Sequence, residues 1–306
     1  MNNIDNSQDR LPVVIDFSLL MDLRVDYAFK LTFGTGNTSF LVSLINAIFD
    51  NKKIPRTIKS LMIINPYLEK HSKEDKLSIL DIRAQLDDGS TILIEMHMYD
   101  LYDLKYKTIR SWARAYSEEL KSSEKYSSQP PVICITFANG SMDNGENQKI
   151  HKCCKIMDID DCTVFSDVME LHYINMQAFV KMINGANGIV KSGVLDSMFE
   201  KWLAVITEKD IEDKTIIENI CEEQEEIGMA VSALVRLSED KVTRQAYQKR
   251  QDEIVMYNKR ISDYKHIADQ ANQRADQAED MIEGKDATIA EQAKLIAELR
   301  SRLGEK

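Results

Sequence analysis

Asp81 and Glu95 are single carboxylates set into two apolar runs of the stretch SILDIRAQLDDGSTILIEMHM, residues 78–98. Asp81 follows Ile79-Leu80, and Glu95 follows Ile92-Leu93-Ile94. Asp87-Asp88-Gly89 between the runs suits a three-residue hairpin loop with Gly89 in the left-handed conformation. That loop makes Leu86 face Ser90, and the same register makes Asp81 face Glu95 and Ile79 face His97. Strand side chains alternate, so Glu95 and His97 share one face while Ile94, Met96 and Met98 take the other. Facing like charges destabilise a sheet, and burial adds a desolvation cost. A divalent cation bound by hard oxygen ligands removes both penalties. The alternative is an exposed edge hairpin whose acids are solvated.

Several elements must position these residues. Residues 19–33 read as a helix ended by Gly34 and Gly36, and 38–50 as a second with Thr38 or Ser39 as its cap. Strands are expected at 57–64, 77–86, 91–98, 130–139 and 169–176, with an amphipathic helix at 105–126. This order implies an α/β or α+β core around a mixed sheet. Residues 1–16 read as a loose tail. From about 178 the pattern is helical, and the acidic run 208–226 reads as a solvated helix in preference to a DNA mimic. After about 254, Ile261, Tyr264, Ala268, Ala271, Ala275, Ala278, Ile282, Ile289, Ile296, Leu299 and Leu303 recur at heptad spacing. Lys285 and Gln292 are its polar exceptions. A seam of about six heptads reads as a coiled coil, and so as a homodimer through 254–306. The alternative is a single solvated helix. The expected division is 1–180, 181–253 and 254–306.

A net charge of −11 over 306 residues gives the molecule no overall attraction for nucleic acid, so any DNA contact needs a local basic patch. On the helix at 105–126, Lys107, Arg110, Arg114, Lys121 and Lys125 fall within an arc of about 60°. Ile109, Trp112, Ala113, Tyr116 and Leu120 form another, apolar face. The stripe reads equally as a phosphate-backbone contact or as an ordinary solvated face. Five cysteines, a polar start and no long apolar run place the chain in the cytoplasm with no membrane span. The spacing of His151, Cys153, Cys154, Cys162 and His172 argues against zinc, since it matches no standard ligand pattern.

The ordered pieces resemble a known family. Asp26-Tyr27-Ala28-Phe29-Lys30, Leu80-Asp81-Ile82, Asp88-Gly89, Ile94-Glu95-Met96-His97, Tyr116, Tyr126-Ser127 and Pro131-Val132-Ile133-Cys134-Ile135 occur in the family's order. Residues 237–250 resemble a later family segment. The chain is similar to the recombination-promoting nuclease/transposase family of the PD-(D/E)XK nuclease superfamily. The resemblance implies a restriction-endonuclease-like α/β core followed by helices and, here, a coiled coil. It implies a Mg²⁺- or Mn²⁺-dependent DNA endonuclease, with metal held by Asp81, Glu95 and the Met96 carbonyl. His97 would orient or deprotonate water, and Asp26 would assist the metal or pair with Lys30. His97 stands where the family has Gln and the wider superfamily Lys. The rival reading is therefore a degenerate nuclease fold serving as a DNA-binding or coiled-coil assembly module.

Overall fold

The 78–98 hairpin lies inside a six-stranded mixed sheet. The computed structural model describes residues 15–35, 37–64, 67–68, 78–79, 81–98, 103–119, 125–140, 149–185 and 195–304. In chain order the helices are α1 (Asp26–Phe33), α2 (Ser39–Asn51), α3 (Leu104–Glu119), α4 (Met176–Asn184), α5 (Met198–Ile206), α6 (Thr215–Glu223), α7 (Glu225–Glu239) and α8 (Lys241–Leu303). The strands are β1 (Leu61–Ile64), β2 (Tyr67–Leu68), β3 (Ser78–Ile79), β4 (Ile82–Leu86), β5 (Thr91–His97), β6 (Val132–Ala138), β7 (His151–Met157) and β8 (Val164–Asn175). The large sheet runs β1-β4-β5-β6-β8-β7, and β2 pairs with β3 separately. β5, β6 and β8 are parallel neighbours, while β1, β4 and β7 join antiparallel. This is the α/β class with the mixed sheet.

The hairpin register follows its turn. Leu86 N–H donates to the Ser90 carbonyl at 2.8 Å, and Gly89 has φ of +87°. The ladder runs from Gln85 with Thr91 to Ile82 with Ile94 and stops one step short of the expected pairing of Asp81 with Glu95. The expected strand at 77–86 is broken there. Ile79 pairs with Tyr67 in the small sheet instead of facing His97. The break frees Asp81 from the ladder, and Leu80 lies outside the described residues.

Two layers of helix cover the sheet. On one face α3 docks Ala115, Trp112 and Tyr116 over Leu93, Val132, Cys134, Leu171 and Tyr173. On the other, Phe29 of α1 lies 5.8 Å from Phe137, Phe33 meets Trp202 of α5 at 5.6 Å, and Phe49 of α2 meets His172 at 5.7 Å. Phe29 and Trp202 are fully buried, so truncating either to Ala should cost about 3–5 kcal/mol.

The expected helix at 19–33 begins only at Asp26. Over 20–25 two backbone donors find tertiary partners, Met21 N–H donating to the Ser238 hydroxyl and Asp22 N–H to the Tyr247 hydroxyl, both at 2.9 Å. At α2 the capping side chain is Asn37, which accepts from Ser39 N–H at 2.9 Å, and not Thr38 or Ser39. The edge strand β7 escapes the sequence pattern because its Lys and Cys residues are only partly covered. The acidic stretch carries an apolar side, with Ile216, Ile217, Ile220 and Cys221 buried in α6.

A buried polar relay ties β7 to β8 and α2. His151 Nδ1 contacts Asn51 Oδ1 at 2.8 Å, His151 Nε2 meets His172 Nδ1 at 2.9 Å, and His172 Nε2 meets Glu170 Oε1 at 2.8 Å. These partners use both nitrogens of each ring, which leaves neither ring free for the zinc that the spacing already disfavours. Burial, aided by His172 and Lys52, pushes His151 down to about 2 from its ordinary 6.5. The folded pKa lies below the unfolded one, so His151 contributes stability that is full above pH 6.5 and lost as pH falls toward 2. A raised carboxyl such as Asp81 works in the opposite direction over the same range, so the His151 share shows as a difference: the midpoint of wild type minus that of His151→Asn should shrink between about pH 7.5 and 5.0. Parallel pH profiles in a melting experiment would remove this contribution of His151.

The chain divides into two compact units, Met1–Asp252 and Glu253–Lys306. The second unit is the distal part of α8, which runs unbroken through the change of sequence period near 254. Among the described residues no helix is long and apolar enough to cross a membrane.

Candidate active site

Glu95 sits on an interior strand, is 6% exposed, and points toward α3. His97, two residues along the same face, contacts Glu95 Oε2 through Nε2 at 2.7 Å. Lys107 reaches the same oxygen from α3, with Nζ at 3.2 Å, and Ser111 Oγ donates to Oε1 at 3.2 Å. Burial alone would raise the Glu95 carboxyl. The His97 hydrogen bond and the Lys107 charge outweigh it and hold Glu95 below its usual range. An ionised carboxylate only accepts, so His97 Nε2 carries the proton and donates it to Glu95. Lys107 Nζ, 3.4 Å from that same Nε2, is then a neighbour and not a hydrogen-bond partner of the ring. Any base function of His97 in this arrangement belongs to Nδ1.

Asp81 is placed differently. The Met96 N–H donates to its Oδ2 at 2.5 Å, a bond that fixes the carboxylate across the broken ladder. Burial raises the Asp81 carboxyl most, and the Met96 bond opposes it. The charges of Asp26 and Glu95 push further up, Lys107 pulls down, and the balance is about 7. The Asp26 carboxylate is gripped by Arg250, whose Nε lies 2.8 and 2.9 Å from its two oxygens, with Nη2 adding another bond. The expected partner, Lys30, is replaced by this residue of α8. Arg250 closes the segment 237–250, which carries a family likeness, but nothing in that segment singles it out from Lys241, Arg244 and Lys249.

The members of the basic stripe of α3 differ in their surroundings. Lys107 turns to Glu95, and Arg110 is exposed. Arg114 is only 8% exposed. Lys125 is exposed beyond the helix, and Lys121 and Leu120 lie outside the described residues. The docked face is rotated from the expected apolar one. Leu104, Thr108, Ser111 and Ala115 turn inward, while Ile109 and Ala113 stay at the surface. The polar members are drawn in by polar partners: Thr108 Oγ1 lies 3.3 Å from Thr136 Oγ1, and Ser111 binds Glu95. Sequence reasoning misses Ser111, whose only signal is its place one turn after Lys107.

A family model described as a PD-(D/E)XK nuclease family transposase matches residues 23–263, more than half of the chain. This chain belongs to that PD-(D/E)XK family. The match spans Asp26, both hairpin carboxylates, α3 and Arg250, so every group just described lies inside it. The chain matches no curated protein and no solved structure.

PD-(D/E)XK nucleases typically use divalent metals, and the donors here can be tested against that. Among the described residues no three His, Cys, Asp or Glu side chains converge to hold a metal ion by themselves. Mg²⁺ seldom needs such a cage, since it is bound through one or two carboxylates with water and substrate phosphate completing the shell. Asp81, in the bend before β4, and Glu95, on β5, supply hard oxygen donors. Burial raises Asp81 most and the Asp26 and Glu95 charges add to it, so a cation there would be stabilising. The donor chemistry fits.

Proposed function

We propose that this protein is a metal-dependent DNA endonuclease. The observation that carries the reading is the pair of carboxylates at the hairpin, Glu95 buried on β5 and Asp81 bonded to the neighbouring Met96 N–H, with burial pushing Asp81 up to about 7. Asp81, Glu95 and the Met96 carbonyl would hold Mg²⁺ or Mn²⁺, which would supply charge neutralisation at the phosphate and make water more acidic. The chain's own groups do the rest. Met96 N–H and His97 Nε2–H fix the two carboxylates. His97 Nδ1 is the lone pair left to orient or take a proton from water, and Arg250 holds Asp26 beside the pair. In the hydrolysis the water oxygen forms the new P–O bond, one phosphate–deoxyribose P–O bond breaks, and the leaving alkoxide gains the proton. We further propose that residues 254–306 pair two copies of the chain, and that it works in the cytoplasm.

Cleavage of supercoiled plasmid in Mg²⁺ or Mn²⁺ tests the reading. Wild type should nick or linearise it, and Asp81→Ala and Glu95→Gln should not. His97→Gln keeps a hydrogen-bond donor toward Glu95 and should retain or raise activity, whereas His97→Ala should lose at least about 10²-fold. Equal rates in all three forms at position 97 would remove His97 from the mechanism. A wild type that binds DNA but never cleaves it would favour the degenerate, assembly reading.

A further inference from the structure

A phosphodiester is an anion, and the site offers it the carboxylates of Asp81 and Glu95 with Asp26 close behind. Hydrolysis makes matters harder, because negative charge on the phosphate oxygens grows toward the transition state. His97 does not answer this need, since its Nε2–H is committed to Glu95 at 2.7 Å. One ammonium does reach the pair. Lys107 Nζ lies 3.2 Å from Glu95 Oε2, and its charge is felt by Asp81 as well as by Glu95. Its side chain is 48% exposed, so Lys107 meets both the buried carboxylate and solvent. Its position is held by the helix. Lys107 N–H donates to the Asp103 carbonyl at 2.9 Å, and the next residue, Thr108, is packed against Thr136. One turn further on, Ser111 is bonded to Glu95 itself.

We propose that Lys107 is a catalytic residue of this site: its ammonium, delivered from α3, stabilises the negative charge that builds on the scissile phosphate. The proposal rests on the nuclease reading. It replaces the view of Lys107 as one contact in a basic stripe that merely holds the DNA backbone. Lys107 supplies charge and hydrogen bonds and transfers no proton, so the hydrolysis balances as written above. Before substrate arrives, the ammonium occupies the field of the carboxylates and competes with any divalent cation there.

Three measurements on the full-length protein separate the two roles, using Lys107→Met, Lys107→Gln and Lys107→Arg. Single-turnover cleavage in Mg²⁺ should fall about 10²- to 10³-fold in the Met and Gln variants, and Lys107→Arg should recover at least a tenth of the wild-type rate. Affinity for duplex DNA in Ca²⁺, and its slope against log salt, should stay within about threefold and within one unit of wild type. Calorimetric affinity for Ca²⁺ without DNA should rise about tenfold in Lys107→Met, because a competing cation has been removed. Unchanged cleavage in both neutral variants overturns the proposal. So does a loss of DNA affinity with a shallower salt slope and unaltered Ca²⁺ binding, which marks a backbone contact. A wild type with no metal-dependent cleavage overturns the nuclease reading itself and this role with it, a result distinct from an active wild type with active variants.

Discussion

Asp81→Asn should raise the thermal midpoint of the metal-free protein at about pH 8 while abolishing its binding of Mg²⁺ or Mn²⁺. The reason is electrostatic. Asp81 has a folded pKa of about 7 against an ordinary 3.8, so the folded state holds its proton more tightly than the unfolded chain does. Asp81 therefore costs nothing below about pH 4. It destabilises progressively between about pH 4 and 7, and fully above about 7. A rise of that size corresponds to about 4 kcal/mol, which is an upper bound because solvent still reaches the carboxylate. Asn keeps an oxygen to accept from Met96 N–H, so the substitution removes the charge and leaves the bond. The gain should be largest at about pH 8 and vanish toward about pH 4. Differential scanning calorimetry at both ends of that range decides it. A midpoint that falls at every pH would make Asp81 a structural group, and the cation site would lose its main support.

The hairpin is legible because two local rules agree on it. Asp87-Asp88-Gly89 suits a three-residue loop, and that loop fixes every pair up to Ile82 and Ile94. What the sequence hides is set by partners far away along the chain. Arg250 grips Asp26 from 224 positions on, and nothing local distinguishes it from the other basic residues of α8. The orientation of α3 is misread for a related reason. An apolar arc is expected to dock, but the sheet beneath presents Glu95 and Thr136, so Thr108 and Ser111 turn inward and Arg114 is buried with them. The break at Leu80-Asp81 escapes notice because Ile79 and Ile82 both favour a strand, and only pairing shows that they belong to different sheets. Propensity places the elements, and tertiary hydrogen bonds choose the faces.

Ile289→Asp combined with Ile296→Asp should convert an assembled protein to monomers. Along the distal part of α8, Tyr264, Ile282, Ile289, Ile296 and Leu299 are each at least half exposed on a single helix. Helices of this length gain most of their stability from a partner that covers the apolar stripe, and the heptad spacing directs that stripe to one seam. The Ala layers from Ala268 to Ala278 bury little, so the larger residues from Ile282 onward carry most of the association. Lys285 and Gln292 at core positions favour a small oligomer of fixed register over a large aggregate. A carboxylate forced into such a seam costs several kcal/mol per position, enough with two per chain to separate the strands. We expect a parallel homodimer, in which the residue-253 ends of the two coils coincide and each continues into its own nuclease unit. That arrangement suits cleavage of both strands of a duplex. Linear product should then fall relative to nicked product when the double variant dissociates. Light scattering of the wild type at tens of micromolar is the direct measurement. A monomer there would end the case for pairing through this helix, and the case for paired cleavage with it.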